Sequence, residues 1–367
     1  MKELSLRELN RTLLLRQMLV ERVDMPARDL VRHLVAVQGQ DPNWPYVGLW
    51  TRLRDFRHAE LEELLRERTV VRSTMIRRTV HLADAEDYRW LYPTLRRMVE
   101  GVLTAAYYRE ALGELDGATL AAAGRELLAG RTLTRSELGR ALAERFPTPH
   151  PTRLAHALGA VAPLLHDAEA GAWGGWFNRR VSVTLAEDWI GGELEERPRP
   201  ETLVLRYLAA FGPASVADMQ AWSGVTRLAE VVARLRSQLR VYRDDTGREL
   251  FDVPDAPLAD ADLPVPVRFL PAFDNAVLGH KDRRRMISDE DRARINKEAS
   301  AGVPMYLVDG FVHGRWAVDG ETVRILPWHP LDGAEEAAVL AEAERMLPVI
   351  VPGMDGKVVI DGRSGLD

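Results

Sequence analysis

Apolar residues along this chain recur every third or fourth position over helix-length stretches, then every second position over short paired runs, and this succession occurs three times. Helices followed by a hairpin are the plan of a winged-helix unit. In the first unit, residues 5–21 set Leu9, Leu13, Leu19 and Val20 near one helical face, and Ser5 with Glu8 supplies a capping box. Pro26 opens a second helix, which the apolar run at 31–37 extends up to Gln38-Gly39-Gln40. Helices near 44–53 and 59–68 follow. Residues 69–74 and 77–82 then alternate as the strands of a wing, and 84–97 returns to helix.

The second unit starts near Ala118. Thr134 caps a helix at 135–146, prolines 147–151 break it, 152–166 takes the recognition-helix place and a hairpin at 171–185 closes the unit. The third has helices at 202–211, 218–222 and 226–238, with a short wing at 240–243 and 249–253. Residues 255–266, rich in Pro, Ala and Asp, form a linker. Beyond it, short strands at 267–273, 306–308, 311–318 and 322–326, two Asp-Gly turns, a helix at 333–346 and a strand at 358–360 predict a mixed module. The expected fold class is α+β: tandem winged-helix (helix-turn-helix) units at 1–110, 111–197 and 198–256, then a β-rich domain at 257–367.

Composition narrows the chemistry. The 367 residues include no cysteine, which excludes disulfides, a thiolate nucleophile, zinc–cysteine sites and iron–sulfur clusters. Charges stand at the N-terminus where a signal peptide needs an apolar core, and no apolar stretch reaches bilayer length, so a cytoplasmic protein with no membrane partner is expected. A net charge of −6 argues against nucleic acid in sum. Its distribution argues otherwise. Four lysines stand against forty-five arginines, and arginine clusters at 72–78, 179–180 and 283–285 while acids collect at 187–201 and 244–262. GC-rich coding accounts for much of the arginine; one basic cleft on an acidic particle remains the expectation.

Two carboxamides two residues apart, at Gln38 and Gln40, need either an internal hydrogen-bond network or a ligand, because an unpaired buried amide costs a few kcal/mol, on the order of 2–7. Metalloprotease and phosphate-loop motifs are absent, no lysine stands near the glutamines for a Schiff base, and the histidines are scattered singly, so neither metal nor cofactor is expected.

The block around Gln38-Gly39-Gln40 resembles the AlkZ/AlkX (YcaQ-like) family of winged-helix DNA glycosylases, which carry a Gln-x-Gln or Gln-x-Asp catalytic motif. The resemblance continues through residues 70–82, ending in Thr79-Val80-His81, and returns at 269–275 and 278–285. It implies a barrel-like C-terminal domain and Gln38 and Gln40 as the catalytic pair. Gly39 departs from the pattern, whose middle residue is usually bulkier, so a looser backbone is expected there.

Such an enzyme needs to hold a water beneath C1′ and place negative potential near an oxocarbenium-like sugar. Amide oxygens do both, but they are not strong general bases, so an already cationic base is the leaving group expected. Asp41 would be the missing base, or a helix cap. His33 would face the same cleft, or serve as a structural histidine. Thr79 and His81, alternating on one strand, would reach sugar or phosphate, or pack across the wing. Arg77 and Arg78 lie on opposite strand faces, so at most one of them reaches DNA in register with Thr79. Trp173 and Trp176 would wedge the duplex open, or form the core of their hairpin, with Arg179 beside them. Lys281, Arg283, Arg284 and Arg285 form a charge-dense loop suited to phosphate. The reading is a monofunctional glycosylase, monomeric, acting on double-stranded DNA with bulky cationic N7-guanine-type adducts, including interstrand crosslinks, in repair or self-resistance to a genotoxin. The alternative is a winged-helix regulator or drug-sequestering protein without chemistry.

Overall fold

Two capping boxes start helices where the polar spacing places them. Ser5 accepts the Glu8 N–H and Glu8 accepts the Ser5 N–H at 2.8 Å, opening the helix Leu6–Arg16. Thr134 and Glu137 do the same for Arg135–Arg145. The computed structural model describes residues 2–174, 181–298 and 302–361.

The helix expected to run from Pro26 to the glutamine motif stops early. Ala27–His33 is helical, Val35 turns to φ 67°, and Val37–Gln38 is a strand. Leu34, Val35, Ala36 and Val37 are all buried. Four consecutive residues sweep most of the way round a helix, so a continued helix would turn one of them outward. The turn at Leu34 and Val35, with the strand that follows, buries them all. A similar correction applies to 152–166: the helix is Pro151–Val161, and Leu164–His166 is a strand. Of the hairpin expected at 171–185, the described part is the strand Ser182–Leu185, which pairs with Leu164–His166.

Three small sheets result. In the first, Val80–Asp84 lies between Val37–Gln38 and Val70–Thr74, antiparallel to both. In the second, Ser182–Leu185 lies between Leu133–Thr134 and Leu164–His166. In the third, Arg240–Asp244 pairs antiparallel with Glu249–Asp252 and parallel with Glu3–Leu4, a two-residue strand too short to show as periodicity. The C-terminal strands Arg268–Leu270, Met305–Val308, Phe311–Asp319, Thr322–Pro327 and Lys357–Ile360 form one sheet in that order. No pairing joins its first strand to its last, so the sheet is open and the barrel-like closure does not form among the described residues. The helix Gly333–Ile350 returns the chain for the final parallel pairing, as a parallel connection requires.

Two large apolar clusters abut at the first sheet. Val35 and Ala36 pack with Tyr88, Trp90, Tyr207 and Trp222, while Val37 packs with Tyr46, Phe269, Tyr306 and Trp316. The glutamine motif therefore sits on a seam between two cores. Buried ion pairs cross the same seam. Arg52 donates to both oxygens of Asp274 at 2.8 and 2.9 Å and to the carbonyls of Gln17 and Gly48, and Arg16 grips Asp252 at 2.7 Å through both oxygens. Asn275 donates to the Ala36 carbonyl at 3.1 Å, directly upstream of the motif. Among the described residues no helix is long and apolar enough to cross a membrane.

Removing one member of such a pair leaves a buried charge without compensation. Asp274→Ala is expected to lower stability by about 3–5 kcal/mol in urea unfolding. A loss below about 1 kcal/mol would mean that the Arg52 pair is not closed in solution.

Candidate active site

Register brings the motif together. Gln38 lies opposite His81 and Val37 opposite Leu82, so Gln38 and His81 are cross-strand neighbours, and the Gly39 N–H donates to the Val80 carbonyl at 2.9 Å. The strand ends there, leaving the Val80 N–H in need of an acceptor. The Gln40 Oε1 supplies it at 3.1 Å. The Gln38 Oε1 accepts the Gln40 N–H at 2.6 Å, and its Nε2 donates to the Thr79 hydroxyl at 3.3 Å, which donates in turn to the Ile76 carbonyl. Each amide oxygen is thus oriented by one backbone N–H and keeps a second lone pair. Gln38 is nearly buried and Gln40 is exposed.

Arg72 fixes this arrangement from beneath. Its guanidinium donates twice to the Gly39 carbonyl, at 2.9 and 3.2 Å, and once to Gln40 O at 3.4 Å. The remaining nitrogen reaches His166 Nδ1 at 2.6 Å, joining the first sheet to the second. Burial pushes the Arg72 pKa down to about 10, Arg135 adds to that, and Asp41 and Asp167 oppose it, so the group stays cationic at neutral pH. Gly39 is therefore held firmly, contrary to the looser backbone expected. A Cβ built on it would lie 3.6 Å from the nearest atom of Pro45, an ordinary contact.

His81 is fully enclosed. Its Nδ1 faces the Thr79 carbonyl at 2.9 Å and so carries the proton, leaving an Nε2 lone pair with no partner among the described residues. Burial, with Arg77 nearby, lowers its pKa to about 3. His166, buried between Arg72 and Arg135, is lowered well below 6.5, by burial first. Neither ring takes a proton near neutral pH.

The other expected site residues disperse. His33 ends its helix with a ring nitrogen 2.7 Å from the Arg16 carbonyl, away from the glutamines. Asp41 accepts the Asn43 N–H at 2.9 Å. Arg77 and Arg78 lie in a turn, both at positive φ, rather than on opposite faces of a strand. Arg77 points inward to the Trp222 carbonyl and to Asn275 Oδ1, at 2.8 and 2.9 Å. Arg78 is exposed and bonds Met98 O through Nε. Trp173 packs against His58 and Tyr46, with ring centroids 4.2 and 5.4 Å away. Trp176 and Arg179 lie outside the described residues. The charge-dense loop does not form one solvated patch: Lys281 is exposed, Arg283 half-buried, Arg284 gripped by Asp282 through both oxygens, and Arg285 buried against the Pro213 carbonyl.

A cleft of about 230 Å³ opens beside Gln40, lined on its polar side by Thr74, Arg78, Tyr108, Arg135, His156 and His166. The sequence reading assigned Arg72, Arg135, His156 and His166 no role. Arg72 was legible in one respect, as a cation between valine and serine on a strand otherwise fit for burial; His166 was hidden by its placement in a helix.

A family model described as DNA glycosylase AlkZ-like matches residues 31–349. The chain is 26% identical over 366 residues to the interstrand DNA cross-link repair glycosylase of Streptomyces sahachiroi, covering 89% of this chain and 92% of that protein. Among solved structures it is similar to the Streptomyces sahachiroi DNA glycosylase AlkZ, with a TM-score of 0.79 at 21% identity over 98% of this chain and 100% of the other, a likeness of fold.

Two outcomes test the geometry. Gly39→Ala restricts the unfolded chain and meets no clash when folded, so its thermal midpoint should hold or rise, by the equivalent of about 0.4–1 kcal/mol; a clear fall would mean that the Gly39 backbone is not as described. His81, with its pKa lowered from 6.5 to about 3, and His166, shifted the same way, bind protons only when unfolded over the pH range just below 6.5. The unfolded state is then favoured as pH falls, and stability should drop by about 1.4 kcal/mol per pH unit for each ring. Urea titrations from about pH 7 to pH 5 should show this decline, shallower in His81→Asn; identical slopes would place the His81 ring in water.

Proposed function

The chain belongs to the AlkZ-like family of DNA glycosylases, and from that footing we propose that Gln38 and Gln40 hydrolyse the N-glycosidic bond of nucleotides carrying bulky cationic adducts of the N7-guanine type, interstrand crosslinks included. The observation that carries this reading is the pairing of each amide oxygen with a backbone N–H, from Gln40 and Val80, beside an open cleft. An oxygen already aimed by the backbone loses little freedom when its second lone pair receives a water. Two such oxygens hold that water below C1′ and turn the negative ends of their dipoles toward the sugar as its positive charge grows.

Neither glutamine takes a proton in the pH range of life, and His81 and His166 are held neutral. Strong base catalysis is therefore not supplied by these groups. The departing base must carry its own driving force, as an N7-alkylated guanine does, and neutral bases should be poor substrates. No lysine lines the cleft, which fits hydrolysis to an abasic site rather than a Schiff-base lyase. Thr79 fixes the Gln38 amide, and Arg72 fixes the motif backbone; both are positioning residues.

The same proposal reads the three small sheets with their helices as tandem winged-helix units, at 1–110, 111–197 and 198–256, leading into the C-terminal domain at 257–367. It takes the protein as a cytoplasmic monomer on double-stranded DNA, in alkylation repair or in defence against a genotoxin. Arg78, Trp173, Trp176, Arg179, Lys281, Arg283 and Arg284 are the DNA contacts it offers; Arg77 and Arg285 support the protein interior.

Incubating the protein with an N7-alkylated or crosslinked duplex should release the modified base and leave abasic product. Gln38→Ala with Gln40→Ala should cut single-turnover excision on the order of 10²-fold or more while duplex binding persists. No abasic product at several-fold enzyme excess would refute the proposal and leave a DNA-binding protein without chemistry.

A further inference from the structure

His166 carries a conflict that a ligand would resolve. Arg72 is always a donor, so the His166 Nδ1 at 2.6 Å from it must offer its lone pair, and the neutral ring keeps its proton on Nε2. That Nε2 lies 3.1 Å from the Arg135 Nη2, which is also a donor. Two N–H groups thus converge with no acceptor between them. Arg135 is half-buried and forms no ion pair among the described residues, although the chain carries 55 Asp and Glu.

The cleft around this point is one-signed. Arg78 and Arg135 are its charged lining residues and no carboxylate lines it, whereas the other four described clefts each include an Asp or Glu. Among the described residues Arg78 hydrogen-bonds only through Nε, and its side chain lines the cleft. A cationic nucleobase would be repelled here. An anion with oxygens at hydrogen-bond spacing would not.

We propose that this cleft seats one phosphodiester of the processed strand, a non-bridging oxygen entering between the His166 Nε2–H and the Arg135 guanidinium, with Arg78 on the outer side. The proposal rests on the glycosylase reading above for the identity of the strand. Arg72 ties the seat to the motif: the guanidinium that orients His166 also holds the carbonyls of Gly39 and Gln40. A phosphate docked at Arg135 therefore fixes the sugar next to it relative to the two amides.

The experiment is a binding scan on duplexes carrying a tetrahydrofuran abasic analogue, in which single methylphosphonates neutralise one phosphate at a time. It needs no excision, so it succeeds or fails apart from the chemistry of Gln38 and Gln40. Wild-type protein should lose about 10-fold in affinity at one phosphate beside the analogue. Arg135→Gln should lose the same on the unmodified duplex, lose nothing further at that phosphate, and lower the salt-dependence slope by about one. Arg135→Lys, which keeps the charge, should restore the slope and part of the affinity. The proposal is overturned if Arg135→Gln, folded by its thermal midpoint, keeps the wild-type pattern of sensitive phosphates. It is equally overturned if inorganic phosphate at matched ionic strength competes while no single phosphate of the strand matters, which would assign the seat to a free anion.

Discussion

Arg72 is a buried cation with no carboxylate in ion-pair contact among the described residues, and the candidate site is arranged around satisfying it. Its donors go to the carbonyls of Gly39 and Gln40 and to the ring of His166. Carbonyls and a neutral imidazole compensate a guanidinium less fully than a carboxylate would, which is why its pKa is depressed by burial. The same uncompensated charge holds the motif's own backbone, at Gly39 and Gln40, in one position. It also commits His166 to one tautomer. A carboxylate partner would have quenched the charge locally and left the motif backbone to find other donors.

In the proposed reaction the glutamines and these cations would divide the work, with Gln40 lining the cleft and Gln38 buried beside it. Gln38 and Gln40 present oxygen lone pairs and no charge, suited to a sugar that becomes positive only fleetingly. Arg78 and Arg135 present permanent positive charge, suited to the anionic backbone of the strand. Placing a carboxylate at the motif would strengthen attraction to any cation, ground state included. Amides favour the transition state while binding the ground state weakly. That economy would work only for leaving groups already weakly held, so under the proposed reading a narrow substrate range goes with mild groups.

Much of the architecture was legible because local rules and tertiary packing agree. The Ser5–Glu8 and Thr134–Glu137 boxes, the wing around Asp244–Arg248, and the alternation along Phe311–Asp319 all appear where spacing puts them. Failures came where a local pattern had two solutions. Residues 34–37 are apolar throughout and fit a helix or a buried strand equally; burial on all sides ended the helix in a turn at Leu34 and Val35 and began a strand at Val37. Leu164–His166 was absorbed into a helix because its strand partner, Ser182–Leu185, is remote in sequence. The motif glutamines stood out as polar residues amid apolar ones. Arg135 and His166 did not, because their meaning is pairwise: each is an ordinary residue until the fold sets one donor against the other. Arg77 and Arg285 misled in the opposite sense, since a run of arginines in sequence looks like surface, yet these two spend their donors on Trp222, Asn275 and Pro213 inside the protein.

The seam on which the motif rests has a bearing on how such a chain is made and inherited. Ala36 takes its side-chain donor from Asn275, Arg52 its counterion from Asp274, and the turn before Thr79 is fastened to Trp222. A nascent polypeptide that has left the ribosome with its first two hundred residues holds both glutamines and the groups that aim them, Thr79, Val80 and Arg72, but lacks the outer braces from Trp222, Asp274 and Asn275. Such a truncated form keeps the local contacts of the motif and loses the seam that supports them. The candidate site draws support from both halves of the chain, so recombination that swaps one segment for a foreign one would unfasten it, while drift at the exposed rim would leave the seam intact.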